Sequence, residues 1–353
     1  MRVGIVGTGT TFGIADWHAA AFGRIPEAEI TAVFTRRKEQ GENFVRRHGL
    51  EAVVCQTYEE LLEQVDGVCI CSPNDTHASY AIKALQNGKG VLCEKPVEGI
   101  EEELCILEGL AQKKKNGHMV GFNYRYSWEN RALRQIVQEG RLGQIYTFYQ
   151  RKGGNRLADK NVPFEWRMDN NKSRMGAAID FGSHMLDNFL YIGGYDPEEV
   201  SVVLAQTEIH IAQRTDLQKQ VHKVSTDDTA VLILNMKDKS RAVLDCSRIG
   251  VGFEEIQIVG SKGVVSYTQV TPDRIYFWKV NEGGSLETVP QIFQKEKTGE
   301  EDTYYLQACD WVKAVMEGTQ LSCNLELGCR EAFLFRWIAQ SAEEKRYVRV
   351  KKE

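Results

Sequence analysis

The first third of the chain alternates two kinds of segment. Short, largely apolar runs stand at 2–6, 30–34, 68–71, 91–93 and 118–122. Such runs suit strands buried on both faces of a parallel sheet. Between them lie stretches with helical spacing at 15–22, 39–48, 75–87 and 101–115, and a shorter one opens at Tyr58. Asn87-Gly88 supplies a helix stop, and Lys113-Lys114-Lys115 reads as the basic last turn of a helix. The strand–helix alternation through about residue 123 predicts a doubly wound parallel sheet.

After residue 124 the period changes. A helix at 129–138 precedes strand patterns at 145–151, 199–211, 228–236, 240–248, 254–260, 263–267 and 274–278. Several are joined by hairpin-like turns such as Lys237-Asp238-Lys239. Helical patterns return at 304–317 and 328–342, and the polar stretch 281–303 reads as a surface excursion. The expectation is an α/β chain of two domains. Residues 1–123 would form a first domain, and residues 124–353 a second, α+β domain with a largely antiparallel open sheet. In that sheet Val202, Leu204, Val231, Ile233, Val243, Ile256 and Ile258 alternate mostly with polar or small residues, so one face can pack on helices and the other can meet a partner.

Composition narrows the function. The 353 residues are 42% hydrophobic and carry a net charge of −5, which leaves no basic footprint for nucleic acid. No apolar run reaches the roughly 18–20 residues needed to span a membrane. The chain enters a strand at once, with none of the tripartite pattern of a secretory signal. The nine cysteines are odd in number and scattered. They read as reduced thiols of a cytoplasmic protein. No CxxC pair occurs, so neither a zinc ribbon nor a redox dithiol is expected of Cys69 and Cys71.

Candidate chemistry collects at strand ends, where open α/β sheets bind ligands. The first strand runs into Gly7-Thr8-Gly9-Thr10-Thr11-Phe12-Gly13-Ile14-Ala15. Two glycines at this place permit a tight turn against a pyrophosphate, and a third small residue lets helix and strand pack. Phe12 occupies that third position, so Gly13 or Ala15 serves instead in a longer loop, with Ala15 favoured. The second strand ends in Thr35-Arg36-Arg37 with no acidic residue until Glu39. A hydroxyl and two guanidiniums suit a 2′-phosphate, which favours NADP over NAD; the alternative is that the arginines are solvated. Two further strand ends deliver Ser72-Pro73-Asn74 with His77, and Glu94-Lys95-Pro96.

A second cluster is Gly176-Ala177-Ala178-Ile179-Asp180-Phe181-Gly182-Ser183-His184-Met185-Leu186-Asp187. On a helix Asp180, His184 and Asp187 share one face. An aspartate one turn before a histidine can fix its tautomer and support general-base chemistry. Taken alone, the spacing equally describes a partly buried histidine held by a helix neighbour. A metal would need a third ligand, for which Asp187 is the only local candidate, and no metal is expected.

These motifs together resemble the glucose–fructose oxidoreductase/inositol dehydrogenase (Gfo/Idh/MocA) family. The resemblance rests on Ser72-Pro73-Asn74-x-x-His77, Glu94-Lys95-Pro96, Val120-Gly121-Phe122-Asn123-Tyr124-Arg125, Glu165-Trp166-Arg167 and Gly176-x-x-x-Asp180-x-Gly182-x-His184-x-x-Asp187. It implies an N-terminal Rossmann domain, a C-terminal open-sheet domain, and a catalytic group of Lys95, Asp180 and His184. It implies that Asn123, Trp166 and Arg167 border the nicotinamide. Tyr124 and Arg125, with Trp166 and Arg167, would contact a polyol. The implied activity is NAD(P)-dependent hydride transfer at a secondary alcohol or ketone of a sugar, cyclitol or related polyol, by a homodimer or homotetramer. The first loop departs from the family pattern by its length. Two alternatives stand beside it: a cofactor-retaining glycosidase-like enzyme with no net redox change, and a catalytically silent nucleotide-binding regulator, against which Lys95, Asp180 and His184 argue.

Overall fold

Eleven elements alternate in the first part of the chain: β1 (Arg2–Val6), α1 (Ile14–Phe22), β2 (Glu29–Phe34), α2 (Lys38–His48), β3 (Val53–Cys55), α3 (Tyr58–Gln64), β4 (Gly67–Ile70), α4 (His77–Gln86), β5 (Gly90–Cys93), α5 (Glu101–Lys113) and β6 (His118–Val120). The computed structural model describes residues 1–9, 13–114, 117–250, 252–296 and 299–351. It divides into one unit of residues 1–126 and 300–332 and another of 127–299 and 333–353.

In the first unit six strands form one sheet in the order β3-β2-β1-β4-β5-β6. Every pairing is parallel. β4 and β5 are buried at all four of their positions, as helices on both faces require. The strand order reverses at β1, which has β2 on one side and β4 on the other. The carboxyl ends of β1 and β4 therefore flank the crevice where this class of sheet binds its ligand. Local chemistry sets the element ends. α3 starts with a reciprocal cap, Thr57 Oγ1 accepting the Glu60 N–H and Glu60 returning to the Thr57 N–H. α2 stops at Gly49, whose φ of +62° is left-handed, after a basic last turn. The helix Thr303–Glu317 also belongs to this unit. It buries Trp311 against Phe22, ring centroids 5.6 Å apart.

The second unit opens with α6 (Trp128–Gln138) and β7 (Ile145–Gly153), then α7 (Ala177–Asp180) and α8 (Gly182–Gly193). Strands follow: β8 (Val200–Glu208), β9 (Gln213–Thr215), β10 (Val221–Lys223), β11 (Thr229–Met236), β12 (Arg241–Ser247), β13 (Phe253–Gly260), β14 (Gly263–Thr268), β15 (Arg274–Lys279), β16 (Gln291–Gln294) and β17 (Val348–Arg349). Nine of them form a sheet in the order β16-β15-β14-β13-β7-β12-β11-β8-β17, antiparallel except for the β7–β12 pair. β9 and β10 form a separate ribbon.

The inner face of the large sheet carries Phe148, Val203, Ala205, Leu232, Leu234, Leu244, Ile256 and Ile258, packed with Met185, Leu186, Phe189 and Leu190 of α8. Of the alternating set, Ile256 and Ile258 sit on this inner face. A strand's two faces cannot be told apart by alternation alone when the intervening residues are also partly apolar. The outer row consists of Leu204, Ile233, Val243 and Tyr149, which pair in register across β8, β11, β12 and β7. The stretch expected as a surface excursion holds β16, which pairs antiparallel with β15.

Candidate active site

The turn after β1 is shaped by glycine. Gly7 and Gly9 have φ of +86° and +65°, conformations that other L-residues rarely adopt. A Cβ on Gly7 would stand 2.6 Å from Ser72 Cα and 3.0 Å from the Cys71 carbonyl carbon. Only glycine lets β1 and β4 approach so closely at the crevice. Thr10, Thr11 and Phe12 lie outside the described residues. α1 begins at Ile14 and buries Ala15.

Beneath this loop lies Asp16, fully buried. It accepts the Gly13 N–H at 2.7 Å, His48 at 2.7 Å and Arg47 Nε at 2.8 Å. Burial pushes its carboxyl up, but hydrogen bonds from His48, Gly13 and Arg47 outweigh that and hold it below the usual carboxylate value. The carboxylate ties the start of α1 to the end of α2. Thr35, just beyond β2, is half-buried, and Arg36 and Arg37 are exposed. The Arg36 charge acts on the Tyr80 phenol.

The turns after β4 and β5 are held by one another. Ser72 Oγ and Thr76 Oγ1 are 2.7 Å apart, and Thr76 Oγ1 donates to the Pro73 carbonyl. Asn74 is buried at the start of a single 3₁₀ turn. His77 bridges both turns: Nε2 lies 2.8 Å from the Ser72 carbonyl and Nδ1 2.8 Å from the Pro96 carbonyl. Burial pushes this imidazole below its ordinary pKa. Glu94 is buried, with Oε1 2.7 Å from His18 Nε2 and Oε2 accepting the Lys95 N–H at 3.1 Å. Lys95 therefore leaves the end of β5 from a backbone held on both sides, followed by a cis peptide to Pro96. After β6, Asn123 and Arg125 are buried and Tyr124 is half-buried. Asn123 Nδ2 donates to Thr303 Oγ1 at 3.0 Å. The neighbouring Tyr304 ring stands edge-on to His18 at 5.3 Å, so the helix Thr303–Glu317 reaches this edge as well.

In the second unit the Asp180–His184 run is two helices, not one. α7 ends at Asp180, Phe181 keeps a right-handed helical conformation, and α8 begins at Gly182. Asp227 fixes the start of α7. Its side chain accepts the N–H groups of Gly176 (2.6 Å) and Ala178 (2.8 Å), and its carbonyl accepts that of Ala177 (2.9 Å). These are the donors a helix start leaves without intrahelical partners. Arg248 donates to the Arg167 carbonyl and to Thr226 Oγ1, which joins the Trp166-Arg167 turn to the same frame. The Arg167 guanidinium lies 4.4 Å from the centre of the Trp166 ring. The Asp180 charge acts on both Arg156 and Arg248. Asp180 is half-buried, and His184 and Asp187 are buried.

Gly176 has no room for a side chain, since a Cβ would run into the Asp227 carbonyl and within 2.5 Å of an Arg248 guanidinium nitrogen. Gly176→Ala should destabilise the protein by about 1–3 kcal/mol, as overpacking does. The check is a lowered thermal midpoint together with lost activity. An unchanged midpoint would contradict the packing account.

Asp16, Glu94's partner His18, Thr303, Asp227, Arg248 and Arg156 have no periodic or spacing signal in the sequence. Each gains its place only when distant segments meet.

The fold and site define a nicotinamide-nucleotide oxidoreductase. Residues 1–122 match the model described as "Oxidoreductase family, NAD-binding Rossmann fold", and residues 130–266 match the GFO/IDH/MocA C-terminal domain. The chain belongs to the Gfo/Idh/MocA family. It is 29% identical over 322 residues to glucose-6-phosphate 3-dehydrogenase of Bacillus subtilis, covering 88% of this chain and 87% of that one. It is 26% identical over 357 residues to myo-inositol 2-dehydrogenase of Thermotoga maritima, covering 99% and 98%. The fold is shared with levoglucosan dehydrogenase in complex with NADH, at a TM-score of 0.87 and 22% identity over the whole of both chains. No described helix is long and apolar enough to cross a membrane.

Proposed function

We propose that this protein transfers a hydride between NADP and a secondary alcohol or ketone of a sugar or cyclitol. The observation that carries the reading is the set of strand ends in the first unit. Gly7 after β1, Ser72 after β4 and Lys95 after β5 stand at the carboxyl ends of three neighbouring strands. Gly7, Gly9 and Ala15 border the pyrophosphate, with Ser72, Pro73 and Asn74 alongside. Thr35, Arg36 and Arg37 take the adenosine 2′-phosphate. His77 and Glu94 shape the Lys95 turn, and Asn123, Trp166 and Arg167 border the nicotinamide. The relatives' substrates, glucose 6-phosphate and myo-inositol, are polyhydroxylated rings of the class proposed here.

The bound dinucleotide supplies the hydride acceptor. The chain's own groups handle the proton and charge. His184 takes the hydroxyl proton, and Asp180 stabilises the imidazolium that results. Lys95 stabilises the charge that develops on the alkoxide oxygen. Tyr124, Arg125 and Trp166 contact the remaining hydroxyls. All nine cysteines are free thiols, which suits work in the reducing cytoplasm. The test is a panel of glucose 6-phosphate, glucose and the inositols with NAD and with NADP, read by the absorbance of reduced nicotinamide. No reduction with any member would overturn the reading.

We further propose a homodimer or homotetramer formed through the outer row of the large sheet. Tyr149 and Val231 are 44% and 38% exposed there, beside Leu204, Ile233 and Val243. Light scattering at micromolar concentration should give at least twice the chain mass, and Ile233→Lys should lower it to one. A monomeric wild type would refute the assignment.

A further inference from the structure

Residues two apart along a strand point to the same face, so Cys69 and Cys71 can share a ligand. Cys69 lies in β4 and Cys71 follows its last residue, Ile70. The two sulfurs are 3.6 Å apart. A ring nitrogen of His18, on α1, completes a group whose ligand atoms all lie within 4.8 Å of one another. We propose that His18, Cys69 and Cys71 form a binding site for a thiophilic d¹⁰ divalent cation of the zinc type, clamping α1 to the end of β4.

Four features support the site. Two zinc–sulfur bonds of about 2.3 Å at a tetrahedral angle hold their sulfurs roughly 3.8 Å apart, close to the spacing already present. His18 is oriented as metal-binding histidines are. Its Nε2 lies 2.7 Å from the Glu94 carboxylate, which can only accept, so Nε2 carries the proton. Its Nδ1 is buried and has no hydrogen-bond partner among the described residues, so a lone pair remains there. Charge also balances: two thiolates, a neutral imidazole and a divalent cation sum to zero, which a buried site tolerates. Finally, Cys69 and His18 are fully buried whereas Cys71 is half-buried, which leaves one side for entry and for a fourth ligand such as water.

Burial pushes both thiols above their ordinary pKa, so without a cation they are neutral S–H groups. Binding exchanges two thiol protons for one cation, forms two metal–sulfur bonds and involves no change of oxidation state. The site stands next to the dinucleotide turn, because the Cys71 N–H donates to the Val6 carbonyl at 2.7 Å, one residue before Gly7.

The test titrates cadmium into the reduced, metal-free full-length protein, reading the ultraviolet thiolate-to-cadmium charge transfer and the heat of binding. The expected result is one saturable equivalent per chain in wild type and in Cys105→Ser, whose thiol is exposed and outside the group. Cys71→Ser and Cys71→Ala should each weaken that equivalent at least tenfold, and zinc should displace it. No saturable band in wild type would overturn the proposal. So would a band retained at full affinity in either Cys71 variant, which would assign the binding to other thiols.

Discussion

Lys95→Met and His184→Ala should each lower turnover by about 10²–10⁴-fold, the usual range for acid–base groups. That loss corresponds to about 3–5 kcal/mol of transition-state stabilisation. Methionine keeps much of the Lys95 stem but removes the cation, so the alkoxide loses its counter-charge as the proton leaves. The backbone that carries Lys95 is held by Glu94 and, through the Pro96 carbonyl, by His77, neither of which uses the lysine ammonium in those bonds. The variant should therefore fold and bind dinucleotide as wild type does. His184 sits on α8, whose packing comes from Met185, Leu186 and Phe189, so removing the imidazole leaves the helix seated. Steady-state kinetics with a dinucleotide-binding control checks both variants. Full turnover in either would remove that residue from the catalytic group.

Arg36→Ala should weaken NADP far more than NAD. Arg36 and Thr35 follow β2, where the adenosine ribose lies in this fold. Thr35-Arg36-Arg37 after β2 include no carboxylate to accept the ribose hydroxyls of NAD. A 2′-phosphate would meet a hydroxyl and a guanidinium able to bind it bidentately. Hydrogen bonds to charged groups contribute about 1.5–3 kcal/mol each. One such contact corresponds to roughly a tenfold to hundredfold preference for NADP. Thr35→Asp should shift preference towards NAD. Calorimetric titration of both dinucleotides against wild type and Arg36→Ala decides the matter. Equal wild-type affinities, or equal losses in the variant, would make these arginines solvated surface charge.

The parallel sheet could be read from the sequence because its strands are apolar on both faces and its helices amphipathic, two periods that do not mimic each other. β3, β16 and β17 were not read from the sequence, although Val53-Val54-Cys55 of β3 is as apolar as the run at 91–93. The return of residues 300–332 to the first unit has no sequence signal, since Trp311 looks like any core residue of a helix until Phe22 meets it. The motif residues themselves were visible at strand ends. Their supports were not, because Asp227 lies 51 residues from Gly176 and His18 lies 76 from Glu94. The proximity of Cys69 and Cys71 was legible in their spacing, although no shared ligand was expected of them. Side chains two apart in a strand point to the same face, and the two sulfurs stand 3.6 Å apart.

Hydride transfer itself can be followed with a label. Perdeuterated myo-inositol and perdeuterated glucose 6-phosphate, each incubated with the enzyme and NADP, allow the dinucleotide to be recovered and its mass and proton spectrum read. The account predicts reduced dinucleotide from the accepted polyol carrying one deuterium at the nicotinamide C4, placed on a single face, with His184→Ala slowing its appearance. Polyol turnover with no deuterium in the recovered dinucleotide would contradict it, as would deuterium lost to water with no net reduction.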